Sequence, residues 1–140
     1  MLIRQIMDNC ALHRLPSKNP GDPRGMLSVI EGERDIPFAI ARVYFLAGTP
    51  GDLVRGSHAH RALEQYAMCV SGSCIFDIDD GRRRESIVLS GPDVGLYMGP
   101  LLWHEMRAFS LDCVLLVLAS AHYDEADYIR NHAEFQELAR

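Results

Sequence analysis

The sequence predicts an all-β domain, a sandwich or barrel finished by one C-terminal helix. Three observations lead there. Short runs rich in β-branched and aromatic residues recur along the chain, each stopped by a cluster of Gly, Pro, Asp or Ser. Helical signals are sparse before the last twenty residues. At 140 residues the chain has the length of one domain, spanning 1–140 with a core over about 25–120, and can bury that core without staples.

Taken in order, residues 38–46 form the first strong run, ended by Gly48-Thr-Pro-Gly51. On such a strand Ile40, Arg42, Tyr44 and Leu46 share one face while Val43 and Phe45 point away. Residues 65–70 make a second run, stopped by Ser71-Gly72-Ser73. Residues 74–79 alternate and lead into Asp80-Gly81, a dipeptide suited to a type I′ hairpin turn, so 83–89 is the return strand. Gly91-Pro92 closes it, 94–98 follows, and Gly99-Pro100 breaks again. Residues 113–120 are apolar on both parities, the mark of a strand covered on both faces. The tail differs in kind. Asp124 is placed to cap a helix, Asp127 adds acidic charge to its first turn, and Tyr128, His132, Phe135 and Ala139 share one helical face. These features predict a helix over 124–138. The loosest stretch, 16–25, is rich in Pro, Gly and Asn and reads as a loop near the mouth of the fold.

Composition narrows the function. Fourteen basic against nineteen acidic residues give a net charge of −5, which argues against a general nucleic-acid binder. An anionic small ligand stays open, because a few arginines can reverse the field inside one pocket. The longest aliphatic run, 114–119, is far short of the roughly 20 residues that span a bilayer. The first fifteen residues mix charge into their apolar positions and lack a signal-peptide core, so a cytoplasmic protein is expected. Cys10, Cys69, Cys74 and Cys113 form no CxxC pair and read as small buried hydrophobes in a reducing compartment.

The informative stretch is Arg55-Gly-Ser-His58-Ala-His60-Arg-Ala-Leu-Glu64-Gln65. Residues two apart in a strand point the same way, so His58 and His60 face one cavity. A further histidine arrives in Trp103-His104-Glu105, after a Gly-Pro turn. Three readings fit this set. The histidines are strand residues bonded to backbone, or they join Glu64 as ligands to Fe, Mn, Ni or Zn, or they move protons as neutral imidazoles near pH 7. Spacing leaves all three open.

The H-x-H pair with a later Pro…His element resembles the two motifs of the cupin superfamily, whose members are double-sheet jelly-roll barrels. The wider sequence resembles the nucleotide-sugar 3,4-ketoisomerases. The matching pieces are Arg55-Gly-x-His58-Ala-His60-Arg61-x-Leu-Glu-Gln65, then Gly95-Leu-Tyr97-x-Gly-Pro100-x-x-Trp103-His104-Glu105-Met106, and Tyr123-Asp-Glu-x-Asp127-Tyr-Ile-Arg130. Upstream, Asp22-Pro-Arg24-Gly25-x-Leu27 and Arg42-Val-Tyr44 extend it, so the likeness covers residues 22 to 130 in order.

That resemblance implies an isomerase that moves the ketone of dTDP-4-keto-6-deoxyglucose from C4 to C3, with no metal and no organic cofactor, on the way to deoxyaminosugars of cell-surface glycans. It also implies a homodimer whose N-terminal strand, here residues 2–6, adds to the partner's sheet. His58 is then the base, His60 its partner or the shuttle between oxygens, and Tyr44 a donor to the enolate oxygen. Arg42, Arg55 and Arg61 are the candidates for the diphosphate. Tyr97 and Trp103 are the candidates for stacking on thymine or sugar. Arg24 and His104 resemble the branch that inverts C4 and yields the galacto product. In a straight strand Arg55 and Arg61 would face away from His58, and Gly56 is where a bulge could re-aim Arg55. Arg82, Arg83 and Arg84 read as a solvated face, and His13 and His132 carry no assigned role. The rivals are a metal-dependent cupin enzyme, a nucleotide-sugar 3,5-epimerase and a non-catalytic sugar-binding cupin.

Overall fold

The computed structural model describes residues 2–15, 17–18 and 21–140. The strands in order are β1 (Leu2–Met7), β2 (Cys10–Arg14), β3 (Ser17–Lys18), β4 (Leu27–Ser28), β5 (Arg42–Ala47), β6 (Arg55–His60) and β7 (Gln65–Ser71). They continue with β8 (Ser73–Asp79), β9 (Arg84–Ser90), β10 (Val94–Met98), β11 (Trp103–Arg107), β12 (Val114–Ala119) and β13 (Tyr128–Ile129), followed by the α-helix α1 (His132–Ala139). Two antiparallel sheets carry the fold. A six-stranded sheet runs β1-β2-β10-β7-β12-β5, and a five-stranded one runs β13-β6-β11-β8-β9. Apart from the hairpins β1–β2 and β8–β9, adjacent strands in each sheet are not consecutive in sequence, as expected of a jelly roll rather than a meander.

Parity explains three separate apolar clusters. The inward residues of both sheets, among them Ala67, Cys69, Phe76, Ile78, Leu115 and Val117, form the main core. The outward residues of the six-stranded sheet are also covered. Ile36 and Phe38 fold back over Tyr66, Met68 and Leu118, with Leu116 at the margin. That is why residues 113–120 are apolar on both parities. On the far side, Trp103, Ala59, Ile129 and Phe135 seat α1 against the five-stranded sheet.

The hairpin at residues 80–83 has positive φ at Gly81 only, at 92°. The turn therefore has glycine at its first central position, the arrangement of type II′ rather than I′. The run 38–46 enters strand geometry only at Arg42, because Phe38 is committed to the outer cluster. All four cysteines are buried and free. No helix among the described residues is long and apolar enough to cross a membrane. Part of the 16–25 loop, residues 16, 19 and 20, lies outside the described residues. Its end, around Asp22 and Arg24, forms a surface hollow separate from the histidines.

The helix expected over 124–138 is shorter than its periodicity suggests. Asp124 caps only a 3-10 turn, accepting from Ala126 N, and Tyr128–Ile129 then pairs with His60 and Ala59 of β6. The helix proper starts at His132, capped by Asn131, whose side chain accepts from Glu134 N. Tertiary pairing wins because Asp127 is tied to the loop after β6. Its carboxylate accepts from Ala62 N at 2.8 Å and Leu63 N at 3.3 Å, and its carbonyl accepts from Arg61 N at 2.9 Å.

Candidate active site

The strands β6 and β11 are neighbours, and His104 sits directly opposite His58. His60 follows on the same face of β6, while Ala59 turns to the cluster under α1. The three rings converge, with centroids 4.7 Å apart for His58–His104, 5.0 Å for His58–His60 and 6.1 Å for His60–His104. Each ring is anchored through Nδ1, to Gly56 O at 3.1 Å, Asp127 Oδ2 at 3.1 Å and Leu102 O at 3.4 Å for His58, His60 and His104 respectively. Carbonyl and carboxylate oxygens only accept, so Nδ1 carries the proton in each neutral ring. That leaves Nε2 with its lone pair. For His60 this atom is buried with no hydrogen-bond partner among the described residues.

Burial keeps the rings uncharged. Desolvation lowers His58 below its ordinary 6.5, and Arg130 pushes the same way. Desolvation and the neighbouring His58 lower His60 to about 4, against the pull of Asp127. Desolvation, His58 and His60 together take His104 to about 3. All three shifts are downward, so the neutral, proton-accepting forms survive below pH 6.5. The acid limb of kcat/KM is expected below that value in a pH–rate profile, and a limb at or above it would place the base elsewhere. Stability has the same sign. The unfolded rings take protons near 6.5 while the folded ones resist, so the protein loses stability as pH falls below 6.5.

Two hollows flank the cluster. One of about 230 Å³ is lined by Arg42, Tyr44, Arg55, His58, His104 and Tyr128, with Leu46 and Met106. The other, about 190 Å³, has His60, Asp127, Ser120 and His122 in its wall and shares Arg42 and Tyr128 with the first. Tyr44 accepts from Gln65 Nε2 at 3.1 Å, and burial pushes its phenol up to about 12, so it stays a donor. Arg42 lies 5.7 Å from the Tyr44 ring and 5.8 Å from that of Tyr123, and its Nε is buried with no partner among the described residues.

Arg55 reaches this cavity through a bulge. His104 pairs with His58, but Glu105 pairs with Gly56 and Met106 with Arg55, so Ser57 is an extra residue in β6. The insertion flips the parity and gives Arg55 the face of His58. Gly56 has φ 89°, and a Cβ there would meet His104 O at 2.9 Å, so no other residue fits.

Other expected site residues lie elsewhere. Arg61 faces out and pairs with Glu134 at 2.8 Å. Arg24 pairs with Asp22 at 2.8 Å, 84% exposed, away from the histidines. Tyr97 is on the outer face of β10, and its hydroxyl donates to Glu64 at 2.7 Å. That bond also takes Glu64 out of any metal set, leaving the three imidazoles, whose donor atoms lie within 4.8 Å of one another and could hold a divalent transition ion. Trp103 points opposite to His104 and packs on His132 and Phe135. Sequence reasoning gave no role to Asp127, which orients His60, or to Tyr128, whose ring lies 4.4 Å from His60 and 4.9 Å from His58. Both fall within the Tyr123–Arg130 motif, the one signal that marked them.

Known proteins resemble this chain in sequence and fold. Residues 8–140 match the family described as FdtA: WxcM-like, C-terminal. A TDP-4-oxo-6-deoxy-alpha-D-glucose-3,4-oxoisomerase from Aneurinibacillus thermoaerophilus is 52% identical over 115 residues, covering 82% of this chain and 83% of that one. Among solved structures, a histidine-to-asparagine mutant of the 3,4-ketoisomerase QdtA from Thermoanaerobacterium thermosaccharolyticum, in complex with TDP-4-keto-6-deoxyglucose, superposes with a TM-score of 0.91 at 42% identity over 96% of each chain. The WlaRB TDP-quinovose 3,4-ketoisomerase from Campylobacter jejuni gives 0.89 at 44% identity, covering 94% of this chain and 99% of that one. The converging histidines thus sit in a cupin barrel shared with sugar ketoisomerases, and the chain belongs to the FdtA family of TDP-sugar 3,4-ketoisomerases.

Proposed function

We propose that His58 takes the C3 proton of TDP-4-keto-6-deoxyglucose and that His60 moves protons between the C3 and C4 oxygens. The C3 hydrogen is acidified by the adjacent C4 carbonyl, so its removal yields an enediol shared by both carbons. Protonation at C4, with loss of the proton from the C3 oxygen, leaves the ketone at C3. No atom is gained or lost, so the step needs only a base, a proton carrier and a donor to the enolate oxygen. Neutral His58 supplies the base, His60 the carrier and Tyr44 the donor. The observation that carries this reading is the convergence of three neutral imidazoles, each holding its Nδ1 proton on a fixed acceptor and each leaving Nε2 free.

Arg55 and Arg42 are the guanidinium groups at the cavity, and we assign them to the diphosphate. His104 supports the galacto configuration at C4 through the family resemblance, while Arg24 is remote from the cavity within this chain. The reaction as written uses no metal. The enzyme is proposed to act in the cytoplasm as a homodimer. Among the described residues β1 is an edge strand that pairs with β2 alone, and its outer edge, on a strand bearing exposed Leu2 and Ile3, suits addition to a second copy.

The test is proton and carbon NMR of TDP-4-keto-6-deoxyglucose with the enzyme in deuterated, chelator-treated buffer. The ketone resonance is expected to move from C4 to C3 at full rate. Deuterium at C3 and C5 with the ketone still at C4 would make the protein an epimerase. Turnover that stops on chelation and returns with an added ion would make it a metal enzyme, and binding without exchange at any ring carbon a sensor.

A further inference from the structure

Gln65 closes the first motif, yet the reaction gives it no task. We propose that Gln65 is a positioning residue that keeps the Tyr44 hydroxyl proton free for the reacting sugar; this rests on the assignment of Tyr44 as the donor to the enolate oxygen. Register sets the contact. Across β7, β12 and β5 the residues Gln65, Ala119 and Arg42 stand side by side, and Ala67, Val117 and Tyr44 form the next rung on the same face. That face carries the main core, against which Tyr44 packs. Gln65 is 3% exposed, and between it and β5 Ala119 presents only a methyl group. The amide thus reaches Tyr44, donating from Nε2 to the hydroxyl oxygen at 3.1 Å. Neither hollow beside the histidines has Gln65 in its wall, so it can act on a bound sugar only through Tyr44.

The direction of that bond decides what the phenol can do, because a hydroxyl has a single proton to give. Tyr97 and Tyr123 give theirs to Glu64 and Glu125. Tyr44 instead receives an N–H, so its own O–H cannot point at Gln65, and it donates to no group among the described residues. Its ring lines the hollow that also holds His58 and His104, where a ligand oxygen can take that proton. Burial pushes the phenol up to about 12 while the donation from Gln65 pulls the other way, so the hydroxyl is a stronger donor that still keeps its proton. An acceptor in place of the amide N–H would reverse this. The phenol would hand its proton to residue 65 and present only lone pairs to a developing enolate.

Steady-state kinetics with TDP-4-keto-6-deoxyglucose, at about pH 8 and so above the ordinary carboxylate range, tests this on Gln65→Met, Gln65→Glu, Tyr44→Phe and the double variant Gln65→Met with Tyr44→Phe. Gln65→Met keeps the length of the side chain and removes the donor. It is expected to lower kcat about tenfold with KM within about twofold, because Arg42 and Arg55 are untouched. Tyr44→Phe should cost more than that, and the double variant should be no worse than Tyr44→Phe alone. Gln65→Glu keeps the shape and exchanges the donor for an acceptor, so its kcat should fall below that of Gln65→Met and toward that of Tyr44→Phe; it stands in if Gln65→Met does not fold. Parental or faster turnover in Gln65→Met, or Gln65→Glu turning over faster than Gln65→Met, would show that the amide takes the phenol proton rather than freeing it. Losses that multiply in the double variant would make Gln65 a packing residue whose effect bypasses Tyr44. Either result overturns the positioning role. If Tyr44→Phe itself keeps the parental kcat, the donor assignment falls and takes the positioning role with it.

Discussion

Replacing His58 by asparagine should lower kcat about a thousandfold while leaving substrate affinity within a few-fold of the parent. The variant isolates the proton acceptor from the architecture. An asparagine amide can donate to Gly56 O, the acceptor that now holds Nδ1 at 3.1 Å, so the bulge and the ring-lined cavity keep their shape. The variant lacks a basic nitrogen. His60 and His104 remain, but burial, the largest cause of their depression, still holds both below the ordinary histidine range even though the push from His58 leaves with its ring. Their neutral rings are correspondingly weak bases. Binding should persist because Arg42 and Arg55 do not depend on the lost imidazole. Single-turnover kinetics and calorimetric titration with the substrate separate the two quantities. Near-parental turnover would move the base to one of the other two rings, and lost affinity would show that His58 holds the substrate rather than deprotonating it.

The histidine pair was legible in the sequence because a strand has a strict period of two and β6 keeps it from His58 to His60. The same rule put Arg42 and Tyr44 on one face, and both line the cavity. It fails for Arg55, where one inserted residue reverses parity, and only a glycine before the motif hinted at that. Tyr97 and Trp103 were ambiguous for another reason. Each sheet carries an apolar patch on its outer face as well as the core on its inner one, so an aromatic residue is at home on either, and outer packing claimed both. The tail misleads most. Tyr128, His132 and Phe135 are spaced for a helix, yet the first completes a sheet and only the last two belong to α1. Local pattern cannot foresee that Asp127 has four partners on the far side of a chain reversal, because those partners, residues 60–63, lie more than sixty positions earlier.

Those partners make Asp127→Asn the second large effect, a loss of kcat of about a hundredfold with KM little changed. The amide oxygen will take the place of Oδ1, which accepts the short bond from Ala62 N at 2.8 Å. The amide nitrogen then falls where Oδ2 now receives His60 Nδ1 at 3.1 Å and Leu63 N at 3.3 Å. Against His60 a donor now faces a donor. The imidazole resolves the clash by moving its proton to Nε2, the atom that has no partner among the described residues, and so can no longer accept a proton there. Removing the carboxylate also takes away the charge that raises the affinity of His60 for a proton, so its titration moves further down. The loss is therefore chemical, and nitrogen-15 shifts of the imidazole should report the exchanged tautomer in a folded protein. A variant that merely loosened the 60–63 loop would melt earlier without that tautomer change. Turnover within twofold of the parent would mean that His60 carries no proton in the rate-limiting step.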